Sequence, residues 1–352
     1  MMFDREACAR FYQENGYYIY ENALTLAEVE ELRRDATQIC RGEAGEIRGI
    51  LPADAETTDA EVLRRYVCIH FPHKISDVMY KYLSPPSLVD VLTTVIGPNV
   101  KCMQSMLFIK ASGKPGQAWH QDEYFIPTRD RSLTGGWIAL DDATVENGCL
   151  WVIPGSHKHG IIWPTHYQQD ARFDCTEEAF NFPYKDEDAI PVEVKAGTIV
   201  FFNGYLLHRS LPNRAPGGYR RALVNHYMSA ESLLPWMAHR AGEPPGRADH
   251  RDIVLVAGKD PYAYKGLINV MEAHIRRDKE GGCGNQDQNL ISTGIAAFTN
   301  PVSAGALMGS AMSSGGGAMG SAGMGGPTNP VAPQLKTLAP ALVAVDDEED
   351  ED

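Results

Sequence analysis

A histidine and an aspartate separated by one residue are the strongest indication of chemistry in this sequence. His120 and Asp122 follow Trp119 in the run Trp-His-Gln-Asp-Glu. On a β-strand alternate residues face the same side, so the imidazole and the carboxylate would project together while Gln121 points away. They would form two-thirds of the facial triad that binds iron(II) and leaves positions open for substrates. The pair alone is weak evidence, because H-x-D also arises by chance.

A second histidine completes the predicted triad. His208 follows the hydrophobic run 199–202 and a turn, as expected for a ligand at the rim of a barrel. Arg220 comes at the start of the next predicted strand, and a guanidinium can hold a carboxylate through two parallel hydrogen bonds. Arg214 and Arg221 are alternatives for this role. Iron(II), three protein ligands and an arginine fork are what a 2-oxoglutarate oxygenase requires.

Other histidines have alternative interpretations. His157 and His159 follow Pro-Gly-Ser, which predicts a turn, and a zinc role for them is the weaker reading. His226 could share a strand face with Arg220 and reach a pocket, although a hydrogen-bonded core histidine is the stronger interpretation. Neither group displaces the triad as the candidate metal site.

The elements that must position these residues are predicted to be mostly β, with helices in front. Helical periodicity extends over residues 3–14, 26–40 and 87–96, and Thr25 with Glu28 predicts a capping box. Short β-rich runs are separated by turn residues, at 16–20, 100–110, 136–140, 149–153, 189–194, 198–202 and 221–228. This pattern predicts an antiparallel sandwich or barrel, here a helix-flanked jelly roll.

Composition divides the 352 residues into two parts. Residues 1–291 predict one globular domain, whereas 292–352 form a Gly/Ala/Ser/Met-rich segment that ends in an acidic run. Such a segment buries too little apolar area to offset its ordering entropy, so we expect a disordered tail. Half of the net charge of -14 comes from the last seven residues, and no basic block occurs. Nucleic-acid binding is therefore not expected.

The cysteines and the ends of the sequence bear on the compartment. Seven cysteines are scattered without a C-x-x-C pair, which argues against a disulfide framework or a zinc ribbon. No apolar secretory segment, no long apolar span and no Ser-Lys-Leu terminus is found in the sequence. We therefore expect a cytoplasmic protein with no membrane partner.

One segment resembles a known family. The run 142–157, DATVENGCLWVIPGSH, closely resembles the phytanoyl-CoA dioxygenase family, and the segments 104–106, 119–122 and 208–210 fit its pattern in the same order. The likeness covers roughly residues 5–230. It implies a double-stranded β-helix (jelly roll, cupin-like) that uses iron(II) and 2-oxoglutarate, with ascorbate as an accessory reductant.

The resemblance also assigns residues. His120, Asp122 and His208 match the catalytic iron ligands. Seven further positions match, or lie in segments that match, sites of contact with the co-substrate. Two of these, Arg220 and Ser210, are implied to hold its distal carboxylate. The others are Met106, Trp137, Gln121, Lys74 and Gln104.

The implied reaction hydroxylates a small organic substrate with O2 and releases succinate and CO2. Halogenating relatives carry Ala or Gly at the position of Asp122, so its carboxylate favours hydroxylation, while desaturation and ring closure stay open. Loops 43–59 and 168–188 are candidate lids, and a small polar metabolite is the favoured substrate. The alternative is a non-catalytic jelly roll that binds metal as a sensor or binding protein.

Overall fold

The computed structural model describes residues 3–51, 53–174, 177–232, 254–267 and 271–276. The α-helices in these ranges are α1 (Arg5–Asn15), α2 (Leu26–Arg41), α3 (Asp59–Arg64), α4 (Asp77–Lys81), α5 (Pro86–Val95) and α6 (Asp122–Phe125). The three helices predicted from periodicity correspond to α1, α2 and α5. The predicted tail at 292–352 lies outside the described residues, and its separation from the domain stays a prediction.

The helix ends follow from local sequence. Asp4 accepts a hydrogen bond from the backbone N–H of Ala7 and begins α1, which ends at Gly16 with φ 81°. Thr25 and Glu28 form the predicted capping box at the start of α2. None of the helices in the described ranges is long and apolar enough to cross a bilayer.

The strands, in chain order, are β1 (Tyr17–Tyr20), β2 (Cys68–His70), β3 (Val100–Ala111), β4 (Gln117–His120), β5 (Thr134–Ala139), β6 (Leu150–Val152), β7 (Thr165–Tyr167), β8 (Glu177–Ala179), β9 (Ile190–Val192), β10 (Ile199–Asn203), β11 (His208–Ser210), β12 (Tyr219–Ser229), β13 (Val254–Ala257) and β14 (His274–Arg276). The predicted strands all occur, with bounds shifted by up to two residues. The sequence did not predict the short strands β2, β7, β8, β11, β13 and β14.

These strands form two principal antiparallel sheets. The larger has the order β1-β10-β5-β12-β3-β2-β14, with β13 also paired to β3, and the smaller has the order β4-β11-β6-β9. Strands β7 and β8 make a separate hairpin. Strands adjacent in the sheets are distant in sequence, as in a jelly roll. The predicted fold class, a cupin-like jelly roll with flanking helices, is confirmed.

Alternation along the strands separates two cores. Met106, Val224 and Trp137 adjoin one another on β3, β12 and β5 and belong to the cluster between the sheets. The residues next to them in the chain face the opposite way and pack with the helices, namely Leu107, Leu223 and Ile138. Polar groups on the inward faces are therefore enclosed by the barrel, which makes its interior the place to look for a site.

Candidate active site

The three predicted metal ligands meet inside the barrel. His120 ends β4, and His208 begins β11 directly opposite it in the antiparallel register. Asp122 Oδ1 lies 3.7 Å from Nε2 of His120 and 3.7 Å from Nε2 of His208. One donor atom from each residue falls within 4.8 Å of the other two. The structure thus brings together residues 88 positions apart in the chain.

The local structure of Asp122 corrects one expectation. The sequence placed His120 and Asp122 on one strand, but β4 ends at His120 and Asp122 is the first residue of the short helix α6. Gln121 between them keeps extended dihedrals, φ -127° and ψ 127°. Because alternation continues through Gln121, the two side chains still reach the same site, and strand periodicity gave the right result beyond the end of the strand.

Hydrogen bonds orient both imidazoles. Nδ1 of His120 lies 2.7 Å from the carbonyl of Ala118, and Nδ1 of His208 lies 2.9 Å from the carbonyl of Leu206. A carbonyl only accepts, so Nδ1 must donate in both rings and the lone pair of a neutral ring is on Nε2. Second partners of this kind hold metal-binding imidazoles in one tautomer. Both Nε2 atoms are the ones that face Asp122.

His226 orients the carboxylate. Its Nε2 lies 3.1 Å from Oδ2 of Asp122, which leaves Oδ1 directed at the two ligand histidines. Burial alone would raise the pKa of Asp122, but the neighbouring His208 and His226 outweigh it and hold that pKa below its ordinary value. The sequence treated His226 as a core histidine with a possible pocket role. Its contact with Asp122 joins residues 104 positions apart, which no local pattern indicates.

The donor set fits a divalent iron. Burial and the neighbouring His208 lower the pKa of His120 to about 4, so this ring is neutral at neutral pH and can ligate through Nε2. Two imidazole nitrogens and one carboxylate oxygen match the facial triad of non-haem iron(II) oxygenases. Within the described ranges, this trio is the one cluster of histidine, cysteine or acidic side chains with ligand spacing.

A buried arginine lies on β12. Arg220 is 3% exposed, its Nε donates to the carbonyl of Gly148 at 3.1 Å, and its guanidinium carbon lies 5.6 Å from the ring centroid of Trp137. Burial lowers its pKa to about 10, a value at which it is still charged at neutral pH. No ion pair joins Arg220 to a carboxylate of the described residues. A buried cation of this kind favours an anionic ligand.

The two alternatives to Arg220 face elsewhere. Arg221 points to the opposite side of β12, where Nε and Nη2 donate to the two oxygens of Asp141, each at 2.8 Å. Arg214 is exposed. Of the three arginines weighed from the sequence, Arg220 is the one whose side chain is turned into the barrel.

A second buried cation was missed by sequence reasoning. Lys110 on β3 lies opposite Arg220 in the register and is 7% exposed. Its Nζ donates to Ser210 Oγ at 2.9 Å and to the carbonyl of Leu211 at 2.7 Å. The available signal was alternation, since Lys110 shares the inward parity of Met106. A lone lysine in a strand usually indicates an exposed edge, so the signal was not used.

The remaining predicted residues fall into two groups. Met106 and Trp137 line the barrel interior on either side of Val224, as expected for pocket walls. Gln121 faces away from the ligands. Its Nε2 donates to the carbonyls of Ile161 and Tyr205, and its Oε1 accepts from the N–H of Trp163. These bonds tie β4 to neighbouring loops and give Gln121 a structural role, so contact with a co-substrate stays a prediction.

Gln104 and Lys74 lie with the strands at one side of the large sheet. Gln104 Nε2 is 3.2 Å from Nδ1 of His70 on β2. Lys74 donates to the carbonyl of Met271, just before β14, and lies 5.5 Å from the ring centroid of Phe71. These contacts place both residues near β2 and β14, and their contact with the co-substrate stays a prediction.

The fold and the donor set define a class, the cupin-like non-haem iron oxygenases that use 2-oxoglutarate. The family model described as phytanoyl-CoA dioxygenase (PhyH) matches residues 12–222. The chain therefore belongs to the phytanoyl-CoA dioxygenase family. The resemblance inferred from the sequence is confirmed, and so is the expected enzyme class.

Individual relatives agree. Peroxisomal phytanoyl-CoA dioxygenase of Bos taurus is 28% identical over 229 residues, covering 63% of this chain and 67% of the relative. Phytanoyl-CoA dioxygenase of Arabidopsis thaliana is 37% identical over 153 residues, covering 41% and 50%. Phytanoyl-CoA dioxygenase domain-containing protein 1 of Danio rerio is 31% identical over 168 residues, covering 47% and 57%. The matches thus span from half to about two thirds of these relatives.

Solved structures show the same fold. The non-haem monooxygenase ThoJ in its apo form superposes with a TM-score of 0.55 at 21% identity, covering 82% of this chain and 94% of ThoJ. The 2-oxoglutarate-dependent epimerase SnoN superposes with a TM-score of 0.51 at 19% identity, covering 68% and 92%. These similarities establish the architecture, and the chemistry of this chain is argued from its own residues.

Proposed function

We propose that this chain hydroxylates a small organic substrate in a reaction that depends on iron(II) and 2-oxoglutarate. The overall reaction balances as follows: a substrate C–H bond, O2 and 2-oxoglutarate yield a C–OH group, succinate and CO2. One oxygen atom enters the alcohol and the other enters succinate. The observation that carries the proposal is the convergence of two Nε2 atoms and Oδ1 of Asp122 in a barrel that also encloses Arg220, a cation with no carboxylate partner among the described residues.

The chain's own residues would hold both reactants. His120, Asp122 and His208 would bind the metal through the three atoms that already face one another. When bound, iron(II) would supply the redox chemistry that activates O2. The carbonyls that accept from the two Nδ1 atoms, together with His226, keep these ligands in position without rearrangement.

Arg220 and Ser210 would hold the distal carboxylate of 2-oxoglutarate. Arg220 offers a buried guanidinium, and Ser210 is 5% exposed on the inward face of β11. Trp137 and Met106 would form walls that exclude water from the space between the two sheets. A charge-assisted pair in such a space is stronger than the same pair in water.

Asp122 supports hydroxylation over halogenation. A halogenase of this type needs the carboxylate position vacated so that chloride can occupy it, and the resemblance places Ala or Gly there in halogenating relatives. Here the carboxylate is present, buried and hydrogen-bonded to His226. Desaturation and ring closure use the same ligands, and product analysis of the active substrate would separate them.

Two loops are proposed to cover the substrate side, as the sequence predicted. The N–H of Arg48, in loop 43–59, donates to the carbonyl of Ala273 at 2.9 Å. Asp174, in loop 168–188, accepts from Arg276 Nη2 at 2.7 Å. Both loops therefore contact the segment of β14. We retain a small polar metabolite as the favoured substrate class, and phytanoyl-CoA, named for the relatives, is the compound to compare with it.

The test is succinate release with iron(II) and 2-oxoglutarate across a panel of small polar metabolites and phytanoyl-CoA. Calorimetric binding of 2-oxoglutarate to the Mn(II)-loaded protein runs alongside, with Asp122→Ala as the control. We expect substrate-stimulated succinate release that the Asp122→Ala protein lacks. A non-catalytic sensor or binding protein would bind the metal and yield no succinate. The proposal would be overturned if no substrate of the panel gave succinate and the protein did not bind 2-oxoglutarate.

A further inference from the structure

Three oxygen atoms surround the amine of Lys110. Nζ lies 2.9 Å from Ser210 Oγ, 2.7 Å from the carbonyl of Leu211 and 3.2 Å from the carbonyl of Gly148. An ammonium has three donors and no acceptor, so its hydrogen-bonding capacity matches these three oxygens. The two carbonyls only accept, which fixes two of the three donors. The third is directed at Ser210.

The hydrogen-bonding role of the Ser210 hydroxyl is then fixed as well. Besides Lys110 Nζ, the backbone N–H of Gln117 reaches Ser210 Oγ at 3.2 Å. A hydroxyl oxygen has two acceptor lone pairs and one O–H donor. When Lys110 is protonated, the backbone N–H and the ammonium occupy both lone pairs, so the O–H is left to donate to a further group. A hydroxyl in this state can donate a hydrogen bond to an anion.

We propose that Lys110 is a positioning residue for the co-substrate, which fixes Ser210 as a hydrogen-bond donor toward the carboxylate that Arg220 binds. This inference rests on the proposed 2-oxoglutarate site and adds a residue that the resemblance did not assign. Lys110 acts through Ser210, and it need not touch the co-substrate.

Gly148 joins the two cations. Its carbonyl accepts from both Lys110 Nζ and Arg220 Nε, at 3.2 and 3.1 Å. Gly148 has φ +81°, and a Cβ there would lie 2.3 Å from the carbonyl oxygen of Leu211 and 3.0 Å from Lys110 Nζ. A side chain at this position would displace the lysine, so the close approach requires glycine.

The charge balance favours an anion at this place. Burial and then the neighbouring Arg220 lower the pKa of Lys110 well below its ordinary value. A carboxylate placed beside Arg220 would raise the pKa of Lys110 again, because it attracts the ammonium and offsets the charge of the guanidinium. Binding of the anion and charging of Lys110 therefore support each other.

The experiment measures binding of 2-oxoglutarate to the Mn(II)-loaded protein by calorimetry in Lys110→Met and Lys110→Gln. We expect Kd to rise about tenfold or more in both, as for the loss of a charge-assisted contact. The Gln variant guards against misfolding, because its amide can still donate to the carbonyls of Gly148 and Leu211. Lys101→Met is the matched control, a lysine on the same strand, 2% exposed, that pairs with Asp260 at 3.1 Å outside this pocket.

Two comparisons separate positioning from general damage. With 2-oxopentanoate, which lacks the distal carboxylate, the Lys110 variants should bind as the wild-type protein does. In a cycle with Ser210→Ala, the double variant should be little worse than Ser210→Ala alone, because Lys110 acts through that hydroxyl. Unchanged Kd for 2-oxoglutarate, equal losses for both 2-oxo acids, or additive effects would each overturn the inference. If the wild-type protein binds no 2-oxoglutarate, the proposed function itself fails.

Discussion

Two regions of the barrel interior differ in how their charges are balanced. At the candidate metal site, Asp122 lies among three imidazoles and accepts a hydrogen bond from His226. Six residues before His226 on the same strand, β12, Arg220 lies in register with Lys110 of β3. The first region has an anion ready for a metal, and the second has two cations ready for an anion.

The difference indicates a ligand with two unlike ends. A molecule that chelates a metal at one end and carries a carboxylate at the other satisfies both regions at once. Each region taken alone is ambiguous, since a His-Asp-His cluster occurs in other metal proteins and a buried cation can have a structural role. Their enclosure in one barrel favours a 2-oxo acid with a distal carboxylate.

Removing the anion of the first region should have the largest effect. Asp122→Ala deletes a metal ligand, so we expect metal affinity and succinate release to fall by more than about 100-fold, above the range typical of an outer-shell group. Calorimetry with Mn(II) and a succinate assay measure the two losses. Asp141→Ala is the control, a carboxylate on the opposite side that pairs with Arg221. Metal binding that survives in Asp122→Ala would move the site elsewhere.

Removing a cation of the second region should spare the metal. Arg220→Ala should weaken 2-oxoglutarate by about 100-fold, the value expected for two lost charge-assisted hydrogen bonds. Mn(II) affinity should hardly change. Arg221→Ala is the matched variant, since Arg221 pairs with Asp141 and Arg33 still reaches that carboxylate at 3.3 Å. Equal losses of 2-oxoglutarate affinity in the two variants would contradict the assignment of the clamp to Arg220.

The contact between His226 and Asp122 should have a smaller effect, confined to the first region. His226→Phe removes the donor to Oδ2, and we expect Mn(II) affinity to fall by about tenfold, the lower end of the range for outer-shell partners. His226→Gln keeps an N–H donor and should recover part of the loss. Dissociation constants for Mn(II) measure both. If Phe and Gln behave alike, the hydrogen bond is not what matters at this position.

The sequence predicted the first region better than the second for a physical reason. His120 and Asp122 are one residue apart, and extended dihedrals at Gln121 carry strand alternation past the end of β4. Lys110 is buried by contacts with Gly148 and Leu211, 38 and 101 residues away, which no local pattern encodes. A composition-based reading treats a strand lysine as exposed.

The choice between Arg220 and Arg221 shows the same limit on a finer scale. Their place at the start of a predicted strand did not distinguish the two arginines, because adjacent strand residues differ only in the side of the sheet that their side chains face. The register of β12 with β3 and β5 decides the face, and the pairing of Arg221 with Asp141 follows from it. The fold class could be predicted without the strand register, because periodicity and turn residues sufficed to predict a jelly roll with helices in front.

A perturbation on the helix-covered side of the large sheet should leave both regions intact. Thr25→Ala removes the capping box of α2, whose buried face packs in the outer core, and should lower the free energy of unfolding by about 1 kcal/mol. Affinities for Mn(II) and 2-oxoglutarate should match those of the wild-type protein, because the strands that carry the two regions keep their pairing. Denaturant unfolding gives the stability, and Thr37→Ala, on the same helix outside the cap, is the control. A loss of 2-oxoglutarate affinity in Thr25→Ala would mean that the cationic region depends on the helical layer, and the contrast between the two regions would then reflect packing as well as charge.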